Sequence, residues 1–185
     1  MKLRSRLATP AAILVSALVA AASADAAFQK TGDASVRFTA NGPGGMVIEG
    51  KGSSLWTIDD GKTVRVVVQL TAITTGMALR DKHMKEKYLE TGKWPDAELV
   101  VARADLKLPA AGASASTSAN GTLKLHGVNR GTKFTYTATR DGDLYKVSGT
   151  VHVNMKDHDI AEPGYLGVKV KPDVDVTVSF VVKDG

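Results

Sequence analysis

Residues 173–182 read DVDVTVSFVV, and this stretch decides the fold class. Val174, Val176, Val178, Phe180 and Val182 occupy every second position, whereas residues 173, 175, 177 and 179 are aspartate, threonine or serine. Successive side chains of a β-strand point to opposite faces, so the pattern predicts a strand with one apolar and one polar face. Such a strand covers an apolar interior on one side only.

The same alternation recurs along the chain. Its apolar members are Val36, Phe38 and Ala40; Met46, Ile48 and Gly50; Val64, Val66, Val68 and Leu70; Leu123, Leu125 and Gly127; Phe134, Tyr136 and Ala138; and Val147, Gly149, Val151 and Val153. Residues 97–106 are apolar on both sides and fit a strand or a helix. We therefore expect eight strands, with turns at residues 41–45, 59–61, 128–131 and 141–143, where glycine, aspartate and asparagine concentrate.

Two stretches do not alternate. Residues 80–91 (RDKHMKEKYLET) favour a short helix, in which Met84 and Tyr88 lie four positions apart on one face, and Gly92 and Pro95 end it. Residues 109–120 (PAAGASASTSAN) are small and polar, and they predict a flexible loop.

An all-β fold of eight antiparallel strands suggests a closed barrel or a sandwich. The inward positions are mostly valine, alanine and glycine, which leave volume inside, so the interior is either filled by side chains or able to hold one apolar ligand. A membrane barrel shows the same alternation, but it needs girdles of aromatic residues, and only 5% of this chain is aromatic.

The N-terminal segment has the layout of a secretory signal peptide. Lys2, Arg4 and Arg6 precede the apolar run at residues 10–22, and an A-x-A pattern follows at residues 24–26. We expect residues 1–26 to be a signal peptide and residues 27–185 to form a single domain. Without that segment the net charge falls from +5 to +3, which gives no electrostatic argument for nucleic acid. An exported chain without cysteine fits a bacterial periplasm.

Several motifs resemble those of the YceI-like family. They are Thr75-Gly76, Arg80-Asp81-x-His83-Met84, Tyr88-Leu89, Trp94-Pro95, the stretch from Gly121 to Val128, Asp157-His158-Asp159-Ile160 and Pro163-x-Tyr165-Leu166-Gly167-Val168. The resemblance extends over about residues 34–182. It implies an exported, lipocalin-like antiparallel barrel whose apolar tunnel binds a polyisoprenoid or a similar amphiphilic lipid. It also implies that a homodimer is possible.

The polar residues at the start of the predicted helix allow two interpretations. Arg80, Asp81 and His83 could hold a polar head group at the tunnel mouth, since arginine suits a phosphate and histidine can donate a hydrogen bond. Alternatively, Asp81 caps the helix and Arg80 pairs with a carboxylate across the rim. His126 and His152 lie on the polar sides of their strands and should face solvent, and no ligand spacing predicts a metal site.

The sequence therefore predicts a periplasmic binding protein that sequesters or carries one long isoprenoid or fatty chain, needs no cofactor, and neither inserts stably into membranes nor binds nucleic acid. The predicted ligand-binding residues are Phe38, Ile48, Val66, Val68, Arg80, Asp81, His83, Met84, Tyr88, Leu99, Leu125, Phe134, Val151, Val176 and Phe180. Two alternatives stay open. One is a lipid-modifying hydrolase or isomerase that uses Asp81 with His83, although no catalytic motif is present. The other is an interaction protein with a filled barrel and no ligand.

Overall fold

The structure is a computed structural model that describes residues 27–165 and 168–184. The predicted signal peptide lies outside the described residues. The strands are β1 (Gln29–Asn41), β2 (Val47–Gly52), β3 (Leu55–Asp59), β4 (Thr63–Gln69), β5 (Asp96–Ala102), β6 (Ser114–Leu125), β7 (Val128–Asp141), β8 (Leu144–Asn154), β9 (Gly164–Tyr165), β10 (Val168–Lys169) and β11 (Asp173–Lys183).

Nine of these strands form one antiparallel sheet in the order β2-β1-β11-β8-β7-β6-β5-β4-β3, and β9 pairs with β10 as a separate hairpin. The alternating stretch at residues 173–182 lies in β11, and this strand pairs with β1 and with β8 along almost its whole length. Its register places Val176 beside Phe38 and Val151, so the apolar faces of three strands coincide. The all-β, antiparallel prediction is confirmed.

The sheet curls so that the end formed by β1 and β2 approaches the end formed by β3 and β4, and hydrogen bonds link the two ends. The backbone N–H of Phe28 donates to Asp59 at 2.9 Å, which ties the start of β1 to the end of β3. Lys51 of β2 and Thr74 exchange two backbone hydrogen bonds of 2.8 and 2.9 Å. The result is an incompletely closed barrel around an apolar interior.

The predicted count of eight strands was wrong, because β3 went unrecognised. In β3 the outward residues Trp56 and Ile58 are as apolar as the inward Leu55, so the alternation of polarity disappears. Residues 97–106, which fitted either element, form β5 followed by a 3-10 turn at Arg103–Asp105.

The predicted flexible loop at residues 109–120 was also wrong, since β6 begins at Ser114. Its inward residues are small because they lie opposite large ones: Ala119 pairs with Phe134, and Thr117 pairs with Tyr136. The following turn was misplaced as well. It lies at His126-Gly127, where φ is 52° and 76°, as a two-residue hairpin turn with two positive φ angles requires.

The predicted helix at residues 80–91 begins earlier and ends earlier than expected. An α-helical segment, α1 (Ala78–His83), continues directly into a π-helical turn at Met84–Tyr88. We call residues 78–88 the mouth helix. Its π character is fixed by the N–H of Leu89, which donates to the carbonyl of Met84 at 2.8 Å.

Candidate ligand-binding site

A cavity of about 940 Å³ occupies the interior of the curled sheet. This is near the upper end of the range for small-molecule sites in proteins, which is roughly 300–1,000 Å³. Every strand of the nine-stranded sheet except β3 contributes apolar inward side chains, and the mouth helix adds Leu79 and Met84. β3 contributes Thr57. The interior is therefore not filled by side chains.

The structure brings together all but one of the residues predicted to bind the ligand. Those that line the cavity are Phe38, Ile48, Val66, Val68, Arg80, His83, Met84, Tyr88, Leu99, Leu125, Phe134, Val151, Val176 and Phe180. Asp81 does not line it. The members of this set that lie on strands face the cavity because each strand keeps the register that its apolar face requires, whereas Arg80, His83, Met84 and Tyr88 reach it from the mouth helix.

The sequence pattern did not predict several other residues that line the cavity. Leu106 and Leu108 follow β5, Met155 and Ile160 follow β8, and Met77 precedes the mouth helix. These residues lie in turns, where no period relates one side chain to the next. The turns thus cover the ends of the barrel, which the alternation of the strands does not describe.

One end of the cavity is closed by aromatic rings and a buried ion pair. Phe28 and Tyr145 meet edge to face with their ring centroids 5.5 Å apart, and the Arg103 guanidinium lies 4.2 Å from the Phe28 ring centroid. Arg103 also pairs with the carboxylate of Asp59, which is fully buried. We call this group (Phe28, Asp59, Arg103 and Tyr145) the floor.

The wall near the floor contains a tyrosine whose hydroxyl is satisfied by the backbone. The N–H of Lys107 donates to Tyr136 Oη at 2.6 Å, and Tyr136 Oη donates to the Lys107 carbonyl at 3.3 Å. These bonds hold the turn after β5 against β7. The hydroxyl is thereby occupied, and the ring presents apolar surface to the cavity.

The opposite end is the mouth, and Asp81 organises it. Its carboxylate accepts hydrogen bonds of 2.5 Å from the Thr74 hydroxyl and of 2.7 and 2.5 Å from the N–H and hydroxyl of Thr75. Burial raises the pKa of Asp81, but these hydrogen bonds outweigh it and hold the pKa below its usual value. Asp81 therefore fixes the segment before the mouth helix, and its side chain does not line the cavity.

Arg80 and His83 are the basic residues at the mouth that line the cavity. Arg80 donates from Nε to the Thr75 hydroxyl at 2.7 Å and from Nη2 to the Thr75 carbonyl at 2.8 Å. Within the described part of the chain it forms no ion pair with a carboxylate across the rim, which was the alternative interpretation. His83 is exposed, and it makes no hydrogen bond to Asp81 among the described residues. The pair proposed for catalysis is thus not assembled.

The far end of the mouth helix is anchored through His126. Its Nε2 lies 2.9 Å from a carboxylate oxygen of Glu90, and its Nδ1 lies 3.0 Å from the carbonyl oxygen of His158. The expectation that His126 faces solvent was therefore wrong, because the hairpin turn rotates its ring toward the helix. Hydrogen bonding from Lys93 and from His126 lowers the pKa of Glu90.

His152 does face solvent on the outer wall, where it contacts Asp173 and Asp175. Within residues 27–165 and 168–184, no three histidine or acidic side chains come together in a way that could hold a metal ion. None of the helices in that part of the chain has the length and apolar character needed to cross a membrane.

An incompletely closed antiparallel barrel around a large apolar cavity defines a class of proteins that bind small apolar molecules. The model of the YceI-like domain family matches residues 18–182, and the chain belongs to that family.

Solved structures share the fold at low sequence identity. A polyisoprenoid-binding domain from Saccharophagus degradans, implicated in plant cell wall breakdown, is 17% identical with a TM-score of 0.72, over 87% of this chain and 99% of that one. BcnA from Burkholderia cenocepacia is 14% identical with a TM-score of 0.65, over 80% and 95%. A YceI protein from Campylobacter jejuni is 14% identical with a TM-score of 0.53, over 75% and 85%. No curated protein matches the sequence significantly.

Proposed function

We propose that this protein binds one long apolar chain, an isoprenoid or a fatty chain, in the barrel cavity, and that it sequesters or carries this lipid without modifying it. The observation that carries the proposal is the cavity of about 940 Å³ with an almost wholly apolar wall. Burial of apolar ligand surface supplies roughly 25 cal/mol per Å².

The polar groups support a ligand with one polar end. Arg80 and His83 line the mouth, whereas the floor is made of rings and an ion pair already satisfied within the protein. A chain that enters tail first keeps its head group beside the two basic side chains. The polyisoprenoid-binding domain of similar fold supports an isoprenoid as the ligand class.

The N-terminal pattern supports a periplasmic location, where such a protein would keep a lipid away from water between membranes. Cell fractionation with a C-terminal tag tests this location. Recovery of the unprocessed chain from the cytoplasm would contradict it. The same preparation shows by native mass spectrometry whether the chain is a homodimer, as its family resemblance suggests.

A variant that fills the cavity tests the function. Gly149 lines the cavity, and a Cβ built there would lie 3.5 Å from the Thr135 carbonyl and 3.7 Å from Tyr136 Cβ, which are ordinary contacts. Gly149→Phe therefore places a ring in the cavity, and Gly149→Ala is the matched control that leaves it nearly unchanged.

Native mass spectrometry after mild purification should find a lipid of defined mass on the wild type and on Gly149→Ala, but not on Gly149→Phe. After delipidation, the wild type and Gly149→Ala should take up an isoprenoid alcohol or a fatty acid, and Gly149→Phe should not. A wild-type protein that is consistently empty and takes up neither chain would overturn the proposal. Turnover of the lipid that disappears in His83→Ala would favour the enzymatic alternative.

A further inference from the structure

Apolar side chains surround the mouth and face solvent. Met46, Met77 and Leu79 line the cavity, yet they are 48%, 57% and 66% exposed. All three belong to segments at the mouth, since Met46 precedes β2 and Met77 and Leu79 lie at the start of the mouth helix. Leu108 also lines the cavity and is 40% exposed, but it lies in the turn after β5, away from the mouth. Val47, next to Met46, is 55% exposed and points away from the cavity. We call these four residues the rim collar.

The two halves of the rim collar come from different segments, and the backbone brings them together. The hydrogen bonds between Lys51 and Thr74 are antiparallel, so the chain after Thr74 runs beside β2 toward its start at Val47. Met77 and Leu79 follow three and five residues later. The collar is therefore one surface that continues into the apolar cavity.

The mouth helix beside the collar is basic. It carries Arg80, Lys82, Lys85 and Lys87 against the two carboxylates of Asp81 and Glu86. The Asp81 carboxylate is hydrogen-bonded to Thr74 and Thr75, whereas Lys82 and Lys87 are exposed. Exposed apolar side chains next to lysines are typical of surfaces that lie in the interface of an anionic bilayer.

We propose that the rim collar and the mouth helix dock on the surface of an anionic lipid bilayer, and that the cavity exchanges its lipid there. The inference rests on the proposed function, since a long apolar chain that crosses water exposes every methylene group. When the protein is docked, the apolar wall of the cavity continues into the hydrocarbon of the bilayer, so the lipid chain passes between them without crossing water. The exposed Trp56, Ile58 and Trp94 do not line the cavity, so their surface offers no such continuity.

Vesicle flotation tests the proposal, with vesicles of phosphatidylcholine alone and of phosphatidylcholine with phosphatidylglycerol. The wild type should float with the anionic vesicles and less with the neutral ones. Met77→Ser/Leu79→Ser should bind them about tenfold more weakly or worse, because two large apolar side chains are lost. Ile58→Ser is the matched control on the outer wall and should bind like the wild type.

Two further variants separate docking from ligand binding. Val47→Ser/Lys82→Glu changes residues outside the cavity, so it should take up lipid from detergent solution like the wild type but accept it slowly from vesicles. Gly149→Phe should float with the vesicles although it holds no lipid. Vesicle binding without uptake by the wild type would overturn the proposed function and leave docking intact.

Three results would overturn docking itself. One is a wild type that does not float with anionic vesicles. Another is an equal loss of binding in Ile58→Ser. The third is a dimer that Met77→Ser/Leu79→Ser dissociates, measured by light scattering, because a second copy would then cover the collar.

Discussion

A single buried carboxylate connects the parts of the floor. Asp59 accepts hydrogen bonds of 2.9 Å from the N–H groups of Phe28 and Gly61, and it pairs with Arg103. It thereby joins the first strand, the β3–β4 turn and the turn after β5. Since β2 and β3 are the edges of the sheet, this group replaces the strand pairing that would close a complete barrel.

Asp59→Ala should destabilise the protein by about 3 kcal/mol, because the Arg103 guanidinium loses a buried carboxylate partner and the N–H groups of Phe28 and Gly61 lose their acceptor. The free energy of unfolding in urea measures the effect. Asp143→Ala, which removes an exposed partner of Lys183, is the control and should change little. An Asp59→Ala variant as stable as the control would contradict the role given to the floor.

Stability at acid pH should depend on His158. This side chain is 3% exposed, and burial lowers its pKa, so the folded protein binds this proton less readily than the unfolded chain does. In the unfolded chain it takes up a proton near its usual pKa of about 6.5. The stability it contributes is therefore complete above about pH 6.5 and is lost as the pH falls through the folded pKa.

His158→Gln should consequently lose less stability than the wild type between pH 7.5 and about pH 5, measured by urea unfolding at each pH. His152 gives the matched control with the opposite sign. Its hydrogen bond to Asp175 raises its pKa, so its contribution is present below about pH 6.5 and is lost above it. His152→Gln should still lose stability between pH 7.5 and about pH 5, as the wild type does. If the stability of His158→Gln depended on pH in the same way as that of the wild type, His158 would not be the group responsible.

At the scale of elements, the segment before the mouth helix depends on Asp81. The Thr74 and Thr75 groups that donate to its carboxylate precede the helix and follow the bridge to β2. Asp81→Asn should cost about 1–2 kcal/mol, because hydrogen bonds to a charged acceptor become bonds to a neutral one.

Since the pKa of Asp81 is lowered in the folded state, its contribution is present above about pH 4 and is lost as the pH falls through the folded pKa. Urea unfolding of the variant and of the exposed control Glu86→Gln at pH 7 and at pH 3 measures both effects. A cost that is the same at both pH values would show that the charge of Asp81 plays no part.

The strands differ in how far the sequence predicts them, and the reason is the chemistry of their outer faces. Strand β11 was predicted because its outward residues are polar up to Ser179. In β3, Trp56 and Ile58 face outward, and the neighbouring outward Val67 of β4 is buried beside them. Alternation fails as a signal wherever the outer face also carries apolar side chains.

The start of β6 was missed for a different reason. Its inward positions, Ala115, Thr117 and Ala119, do alternate with serines, but small residues look like a loop when taken alone. Their size is explained only by Phe134 and Tyr136 on the paired strand. The sequence of β6 alone therefore does not indicate why its inward residues are small, because the reason lies in β7.

At the scale of the whole molecule, the predicted residues of the wall were easier to assign than the volume they enclose. Inward valines and glycines indicate an under-filled interior, but the cavity also depends on how far the sheet curls and on which turns cover its ends. Leu106 and Met155 lie in such turns, and no periodicity of the sequence marks them.

A closed floor and an open mouth predict a limit to ligand length. For a series of fatty acids of increasing chain length, each buried methylene should tighten binding by about 0.8 kcal/mol, or roughly fourfold, until the tail reaches Phe28 and Tyr145. Beyond that length the affinity should stop rising, because further methylenes remain at the mouth. Competition against a fluorescent fatty acid measures the series.

Leu106→Ala enlarges the cavity at the floor end and should move the plateau to longer chains. Leu106 lines the cavity and packs against two groups of buried side chains, one that includes Phe28 and Tyr145 and one that includes Phe134 and Tyr136. Ile58→Ser on the outer wall should leave the plateau where it is in the wild type. If affinity were independent of fatty-acid length, or rose without limit in the wild type, the fatty acid would not lie along a cavity that is closed at the floor.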